Sequence, residues 1–367
     1  MATPYEELQE RLRSRPRFWV VTGAAGFIGS HLVEALLRLN QRVLGLDNLS
    51  TGRRANLSQV RSAVSESQWR GFRLLEGDIR APETCRRACR AADYVLHQAA
   101  LGSAPRSIEH PVGVHDSNLT GFLNVLVAAR DAGVTRFVYA GSNATYDDRA
   151  EPPQAEPRAA RLLSPYAATK YMNELYAEVF AHCYAFDSIG LRYFDVYGPR
   201  QDGDGPHSPV IPWWIGCMIR REPVFIDGDG TAARDFCHVD DIVQANLLAA
   251  TAEDPQAVNH VYNVALGTRT TLIELFAMIS RLLAPRFPYV RGLRPVHRAV
   301  RGGEARGYRA DTAKAEQRLG FRPQWAMEEG LARTVAWYAT AYPSTQAPER
   351  APPGPRSAFG GNVGSYA

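Results

Sequence analysis

The sequence is poor in cysteine, in unbroken apolar runs and in net charge, and each shortage removes a class of protein. Five cysteines in 367 residues (Cys85, Cys89, Cys183, Cys217, Cys237) are odd in number and scattered, and Cys85 and Cys89 have no matching second pair. That excludes a disulfide framework and a zinc ribbon, so no metal is expected and a reducing, cytoplasmic setting follows. No apolar stretch approaches the roughly 18 residues of a membrane span, and the N-terminus has no signal-peptide core, so no membrane partner is expected. Forty-two basic against thirty-eight acidic side chains leave +4, and no basic run is interleaved with aromatics. Nucleic acid is therefore excluded as a partner, and phosphate-bearing small molecules remain.

What is present is enough apolar content, 45%, to bury a large core, and a glycine turn in a telling place. Phe18-Trp19-Val20-Val21-Thr22 reads as a strand. Gly23, Gly26 and Gly29 follow at three-residue spacing, with Phe27 and Ile28 between the last two. A helical stripe of Ile28, Leu32, Leu36 and Leu39 leads to a second strand, Val43 to Asp47. Glycine lets the backbone tighten and lets a pyrophosphate approach a helix N-terminus, where free N–H groups favour anions. Asp47 closes the second strand where a carboxylate accepts from both adenosine ribose hydroxyls and repels a 2′-phosphate, which favours NAD over NADP. Arg53 and Arg54 nearby are read as solvated. Asn48, Ser50, Thr51 and Gly52 form a polar loop placed to border the adenosine.

Strand and helix continue to alternate, which argues for a doubly wound parallel α/β sheet of the Rossmann type. Further strands are expected at Phe72–Leu75, Tyr94–Gln98, Arg136–Ala140, Ser188–Tyr193 and Val261–Val264. Their ends, Asp78-Ile79 and Gln98-Ala99-Ala100, should line one crevice, with Asp78 placed to accept from the adenine amino group. Met1 to Arg15 reads as a charged amphipathic helix. A helix opening at Ser164-Pro165-Tyr166 carries Met172, Leu175, Tyr176 and Val179 as its core stripe, and Val239-Asp240-Asp241 supplies the N-cap of a later helix. From Pro343 a Pro/Gly/Ser-rich tail without apolar period is expected to be flexible.

Tyr166 and Lys170 stand four apart at a helix start and project from one face. An ammonium beside a phenol, together with a positively charged nicotinamide, draws the tyrosine pKa from ~10 toward neutrality and poises a general base. Ser142, at the end of the neighbouring strand, can hydrogen-bond the reacting oxygen.

With Gly23-x-x-Gly26-x-x-Gly29, Ser142 and Tyr166-x-x-x-Lys170, the chain resembles the extended short-chain dehydrogenase/reductases, specifically the NAD-dependent nucleotide-sugar 4-epimerases. The bacterial UDP-N-acetylglucosamine 4-epimerases are most similar, through the N-terminal helix from Tyr5, His97 to Ser103, Ser164 to Glu174, Gly190 to Phe194, and Asp235-Phe236 through Gln244-Ala245-Asn246. The resemblance implies an NAD-binding domain from residues 1–191 and 237–267, a nucleotide-sugar domain from 192–236 and 268–342, and a tail at 343–367. It implies that Tyr166 removes the sugar 4-hydroxyl proton as hydride leaves C4, and that the 4-keto sugar turns over before hydride returns. Asn118 and Tyr193 join the cofactor site by resemblance, as Gly102, Ser103, Asn143 and Glu304 join the substrate site. Val210, Ile211 and Phe225 would border uracil, and Arg234 and Arg301 would pair with the diphosphate. A homodimer packed through the helices after Asn118 and after Tyr166 is also implied.

The chain departs from that pattern at Asn143, where a second small hydroxyl residue is usual, at Asp195, where asparagine is usual, and at Tyr308, which resembles the gate of galactose-only enzymes. An ionised Asp195 cannot donate a hydrogen bond and would repel a diphosphate. The resemblance makes UDP-N-acetylglucosamine/UDP-N-acetylgalactosamine the leading pair, with UDP-glucose/UDP-galactose a close rival because of Tyr308. UDP-glucuronate stands third, since Arg106 or Arg192 could meet a carboxylate. The 4,6-dehydratases want an acidic pair after Ser142, which Asn143 and Ala144 do not supply. A non-catalytic NAD-binding sensor or subunit is the alternative of a different class.

Overall fold

A computed structural model describes residues 2–146, 153–156, 161–203, 208–299 and 309–341. Arg301, Glu304 and Tyr308, and the tail at 343–367, lie outside them. Seven strands form one parallel sheet: β1 (Phe18–Thr22), β2 (Arg42–Asp47), β3 (Phe72–Glu76), β4 (Tyr94–His97), β5 (Arg136–Ser142), β6 (Ser188–Tyr193) and β7 (His260–Val264). Their spatial order is β7-β6-β5-β4-β1-β2-β3, and every pairing is parallel. The order reverses between β1 and β4, which opens a crevice at the carboxyl ends of the strands.

The helices used below are α1 (Pro4–Ser14), α2 (Phe27–Arg38), α3 (Gly121–Asp131), α4 (Pro165–Tyr184), α5 (Val210–Ile219), α6 (Val239–Ala250), α7 (Leu272–Leu283) and α8 (Met327–Ala341). Helices cover both faces of the sheet, as the near-continuous apolar strands require. On one face Trp19, Val21, Leu32, Leu36 and Tyr262 are buried with the inner face of α1, while Val20, Val95, Phe122, Phe137 and Tyr139 are buried on the other. Each such side chain contributes roughly 1.5–3 kcal/mol relative to exposure. A separate core joins Ile211, Trp214 and Ile215 of α5 to Leu275 and Ile279 of α7 and Leu331 and Val335 of α8.

Two local expectations need correction. Met172, Leu175, Tyr176 and Val179 are not core residues: they are 43%, 43%, 37% and 51% exposed. Helix α4 buries its opposite, largely polar face, through Thr169, Lys170, Asn173, Glu174 and Ala177. The reason lies in β6, where buried Arg192 needs a carboxylate and receives both oxygens of Glu174, at 2.8 and 2.7 Å. The second correction concerns α6, whose N-cap is His238, accepting from Asp240 N at 3.3 Å. Asp240 and Asp241 occupy the first turn, and Asp241 accepts from Gln324 N at 2.7 Å.

Candidate active site

The crevice holds a cavity of about 650 Å³ that runs from the glycine turn to the start of α4. At one end Gly23 has φ +68°, and a Cβ there would lie 2.9 Å from Ala99 N. A Cβ on Gly29 would lie 2.0 Å from Gly23 O, so this turn closes only on glycine. Helix α2 starts at Gly26 with no side-chain cap and no acidic residue in its first turn, leaving its N–H groups and dipole to an anion. Asp47 accepts from Ala25 N at 2.8 Å and Leu49 N at 2.7 Å, which fixes a carboxylate at the strand end. Arg53 is paired with Asp202 at 2.6 Å and Arg54 with Glu76, so both guanidiniums already have carboxylate partners rather than waiting for a 2′-phosphate. These features fit a dinucleotide without a 2′-phosphate.

Most predicted cofactor residues line this cavity: Gly23, Gly26, Phe27, Ile28, Gly29, Asp47, Asn48, Ser50, Thr51, Gly52, Asp78, Ile79, Gln98, Ala99, Ala100, Tyr166, Lys170 and Tyr193. Asp78 is tied down there, accepting from Arg80 Nη2 at 2.7 Å and Asn48 Nδ2 at 2.9 Å, and those bonds lower its pKa to about 2. Asn118 does not line the cavity. It is buried, accepts from Leu101 N at 2.7 Å and donates to Leu101 O at 3.0 Å, and so shapes the loop after β4. Beneath the crevice Gln98, Tyr193 and Asn246 form a closed chain of hydrogen bonds, with Tyr193 donating to Gln98 Oε1 at 3.1 Å and accepting from Asn246 Nδ2 at 2.8 Å.

At the other end of the cavity stand Ser142, Tyr166 and Lys170. Ser142 ends β5 and accepts from Ala144 N at 3.1 Å, and its hydroxyl stands near enough to Tyr166 to pull the phenol pKa down. Ser164 caps α4 by accepting from Ala167 N at 3.2 Å, which places Tyr166 in the first turn. Lys170, one turn on, is buried and donates to Ala140 O at 2.8 Å, with its Nζ 5.9 Å from the Tyr166 ring centre. Burial lowers the Lys170 pKa to about 8. Burial also raises the Tyr166 pKa, and the Ser142 hydroxyl offsets this only in part. The lowering of Tyr166 expected from Lys170 is therefore not a property of the protein alone: the ammonium is spent on a backbone carbonyl, and desolvation wins.

Gly102, Ser103, Asn143, Asp195 and Arg234 line the same cavity, whereas Val210, Ile211 and Phe225 do not. Ile211 is buried in the second core, and Phe225 lies under the Arg298 guanidinium at 3.1 Å. Asp195 is turned to Arg234, with Oδ1 3.3 Å from Nη1. Arg192 cannot meet a substrate carboxylate, because it is buried on Glu174 behind the sheet end. Ser117, Gln201 and Pro209 line the cavity without having been singled out. The rule that ligands gather beyond strand ends would have pointed to Gln201 in the Gly/Pro/Asp-rich loop after β6, whereas nothing in the sequence marks Ser117.

Seven parallel strands, the glycine turn and the Ser-Tyr-Lys set define an extended short-chain dehydrogenase/reductase. The profile of the NAD dependent epimerase/dehydratase family matches residues 19–265, and the chain belongs to that family. Among curated relatives, UDP-glucose 4-epimerase of Mycolicibacterium smegmatis is 34% identical over 322 residues, covering 87% of this chain and 97% of the relative. UDP-glucuronate 4-epimerase of Thermodesulfobacterium geofontis is 32% identical, covering 87% and 95%. Among solved structures, UDP-N-acetylglucosamine 4-epimerase of Methanobrevibacter ruminantium, in complex with UDP-N-acetylmuramic acid, superposes with a TM-score of 0.81 at 32% identity, over 89% of this chain and 99% of that one. No helix among the described residues is long and apolar enough to cross a membrane.

Proposed function

We propose that this NAD-dependent UDP-sugar 4-epimerase interconverts UDP-N-acetylglucosamine and UDP-N-acetylgalactosamine. The observation that carries the reaction class is the gathering of Ser142, Tyr166 and buried Lys170 at the end of a cavity whose other end is the glycine turn. The N-acetylated substrate is supported by the segments shared with UDP-N-acetylglucosamine 4-epimerases and by the likeness to the Methanobrevibacter enzyme. UDP-glucose remains the second reading, favoured by the Mycolicibacterium relative. UDP-glucuronate, the substrate of the Thermodesulfobacterium relative, loses support with Arg192 committed to Glu174 and Arg106 off the cavity wall.

When bound, NAD would be held by the glycine turn and Asp47 and would supply reversible hydride acceptance for the oxidation and reduction at C4. The protein's share is proton transfer, orientation and exclusion of water. Tyr166 Oη takes the proton of the 4-hydroxyl and gives it back, and Ser142 Oγ holds the reacting oxygen within reach of it. Lys170, fixed by Ala140 O, keeps a cation one helical turn from the phenol, and its favourable field grows in a dry site. Since burial alone raises Tyr166, its activation needs the further positive charge of the occupied cofactor site. Arg234 is the only arginine among the described residues lining the cavity and is the diphosphate partner. Gly102 and Ser103, at the mouth, border the sugar, which must turn over while the nucleotide stays held. Val210, Ile211 and Phe225 reach uracil only if this wall closes onto the substrate.

Met172, Leu175, Tyr176 and Val179 give α4 an exposed apolar stripe. It is the surface through which a homodimer would pack, since a second copy would cover what the chain's own core leaves open.

Incubating the purified protein separately with UDP-hexoses, UDP-N-acetylhexosamines and UDP-uronic acids, and resolving the products by chromatography, tests the reading. The N-acetylated pair should equilibrate fastest. Absence of product from every UDP-sugar would leave the non-catalytic reading standing.

A further inference from the structure

Behind α2, on the side away from the glycine turn, lies a second cavity of about 610 Å³ on which the reaction above makes no demand. Its walls come from α1, α2, α8 and the residues that follow β6, and its size is that of a small-molecule site. Three guanidiniums face two carboxylates across it. Glu34 is shared by Arg38 at 3.0 Å and Arg200 at 2.7 Å, while Asp240 is held by Arg333 at 2.8 Å. The neighbouring His31 is kept neutral, because burial and the adjacent Arg200 lower its pKa. One positive charge is thus uncompensated on the cavity.

The three arginines differ in burial, and the difference makes a floor and a rim. Arg200 is 5% exposed, its Nε has no hydrogen-bond partner among the described residues, and its pairing with Glu34 fixes it at the bottom. A buried cation that is not fully satisfied holds the local potential positive. Arg38 and Arg333, 54% and 53% exposed, form the rim, Arg333 held in place by Asp240 at 2.8 Å and by the Trp325 ring with its outer edge open to a ligand. Because Glu34 serves two guanidiniums, Arg38 can leave it without stranding the carboxylate. Guanidinium forks match phosphate oxygens, and Gln9 and Trp337 complete the rim with an amide and a flat apolar face.

We infer that this cavity is a second, non-catalytic binding site for a phosphate monoester of about sugar-phosphate size. The phosphate sits between Arg38 and Arg333 above Arg200, and the organic part lies toward Trp337. The site is separate from the catalytic cavity, so its occupancy is measurable without turnover.

Calorimetric titration of the full-length, NAD-loaded protein at low ionic strength with glucose 1-phosphate, glucose 6-phosphate and inorganic phosphate tests it. Glucose 1-phosphate, glucose 6-phosphate or both should bind saturably with a dissociation constant below about 1 mM. Arg38→Gln and Arg333→Gln should each weaken that binding about tenfold while NAD affinity is unchanged. Should Arg333→Gln fail to fold with Asp240 unpaired, Gln9→Glu, which adds a repelling charge at the rim, should weaken binding as well. Saturable binding of inorganic phosphate alone, no saturable binding of any probe, or binding that Arg38→Gln and Gln9→Glu leave intact would overturn the inference.

Discussion

Asp195 Oδ1 lies 3.3 Å from Arg234 Nη1, so the guanidinium assigned to the substrate diphosphate carries a carboxylate partner within the catalytic cavity. The other oxygen, Oδ2, is buried without a hydrogen-bond partner among the described residues. The pair both weakens the pull of Arg234 on phosphate and leaves an acceptor waiting for a donor. Asp195→Asn should remove the competing charge and supply an amide donor, lowering KM for the UDP-sugar by roughly three- to tenfold, about 1 kcal/mol. Steady-state kinetics decide the matter, and a raised KM would mean that Asp195 itself grips the substrate.

Tyr166→Phe keeps the ring and loses only the hydroxyl at the end of the cavity. NAD should bind the variant as it binds the wild type, by fluorescence titration. Turnover should fall by about 10²–10⁴, the usual worth of a positioned acid–base group. Full activity would remove Tyr166 from its role.

Lys170 gives a pH signature. Its pKa in the folded protein is lowered to about 8 by burial, below the 10.5 of an exposed lysine. Between those values the unfolded chain binds the extra proton, so the cost of burying the ammonium is full below about pH 8 and is relieved as pH rises. Relative to Lys170→Met, the cofactor-free wild type should gain roughly 1 kcal/mol of unfolding free energy per pH unit from pH 8 to 9.5. Denaturant titrations across that range measure it, and parallel curves for the two proteins would contradict it.

The α4 stripe offers a test of assembly. Leu175 and Val179 are 43% and 51% exposed in the single chain, so arginine at both costs the folded protomer little. Sedimentation should show the double variant Leu175→Arg/Val179→Arg as a monomer with unchanged circular dichroism, against a dimeric wild type. A monomeric wild type would refute the assignment.

The sheet was legible because strand, glycine turn and helix each announce themselves by composition and period. Phe18 to Asp47 needs Gly23 and Gly29 for a turn that no other residue closes. What period could not reveal is which covering a face receives. In α4 the apolar stripe predicts a core face, yet the helix turns Lys170 and Glu174 inward because Ala140 O and Arg192 need them there. Asn118 shows the same limit in a site residue: the sequence places an asparagine near the crevice, and only the fold shows both ends of its amide spent on Leu101. Asp195 is visible as a charge that does not belong, but its partner stands 39 residues away, beyond a loop, helix α5 and short strands.

The account rests on one hydride leaving C4 and returning to the same carbon within a closed site. UDP-N-acetylglucosamine carrying deuterium at C4, incubated with the NAD-loaded protein in ordinary water, tests this directly by mass spectrometry and NMR of the product. UDP-N-acetylgalactosamine that keeps the deuterium at C4 is the predicted result, and product with hydrogen at C4 would contradict it.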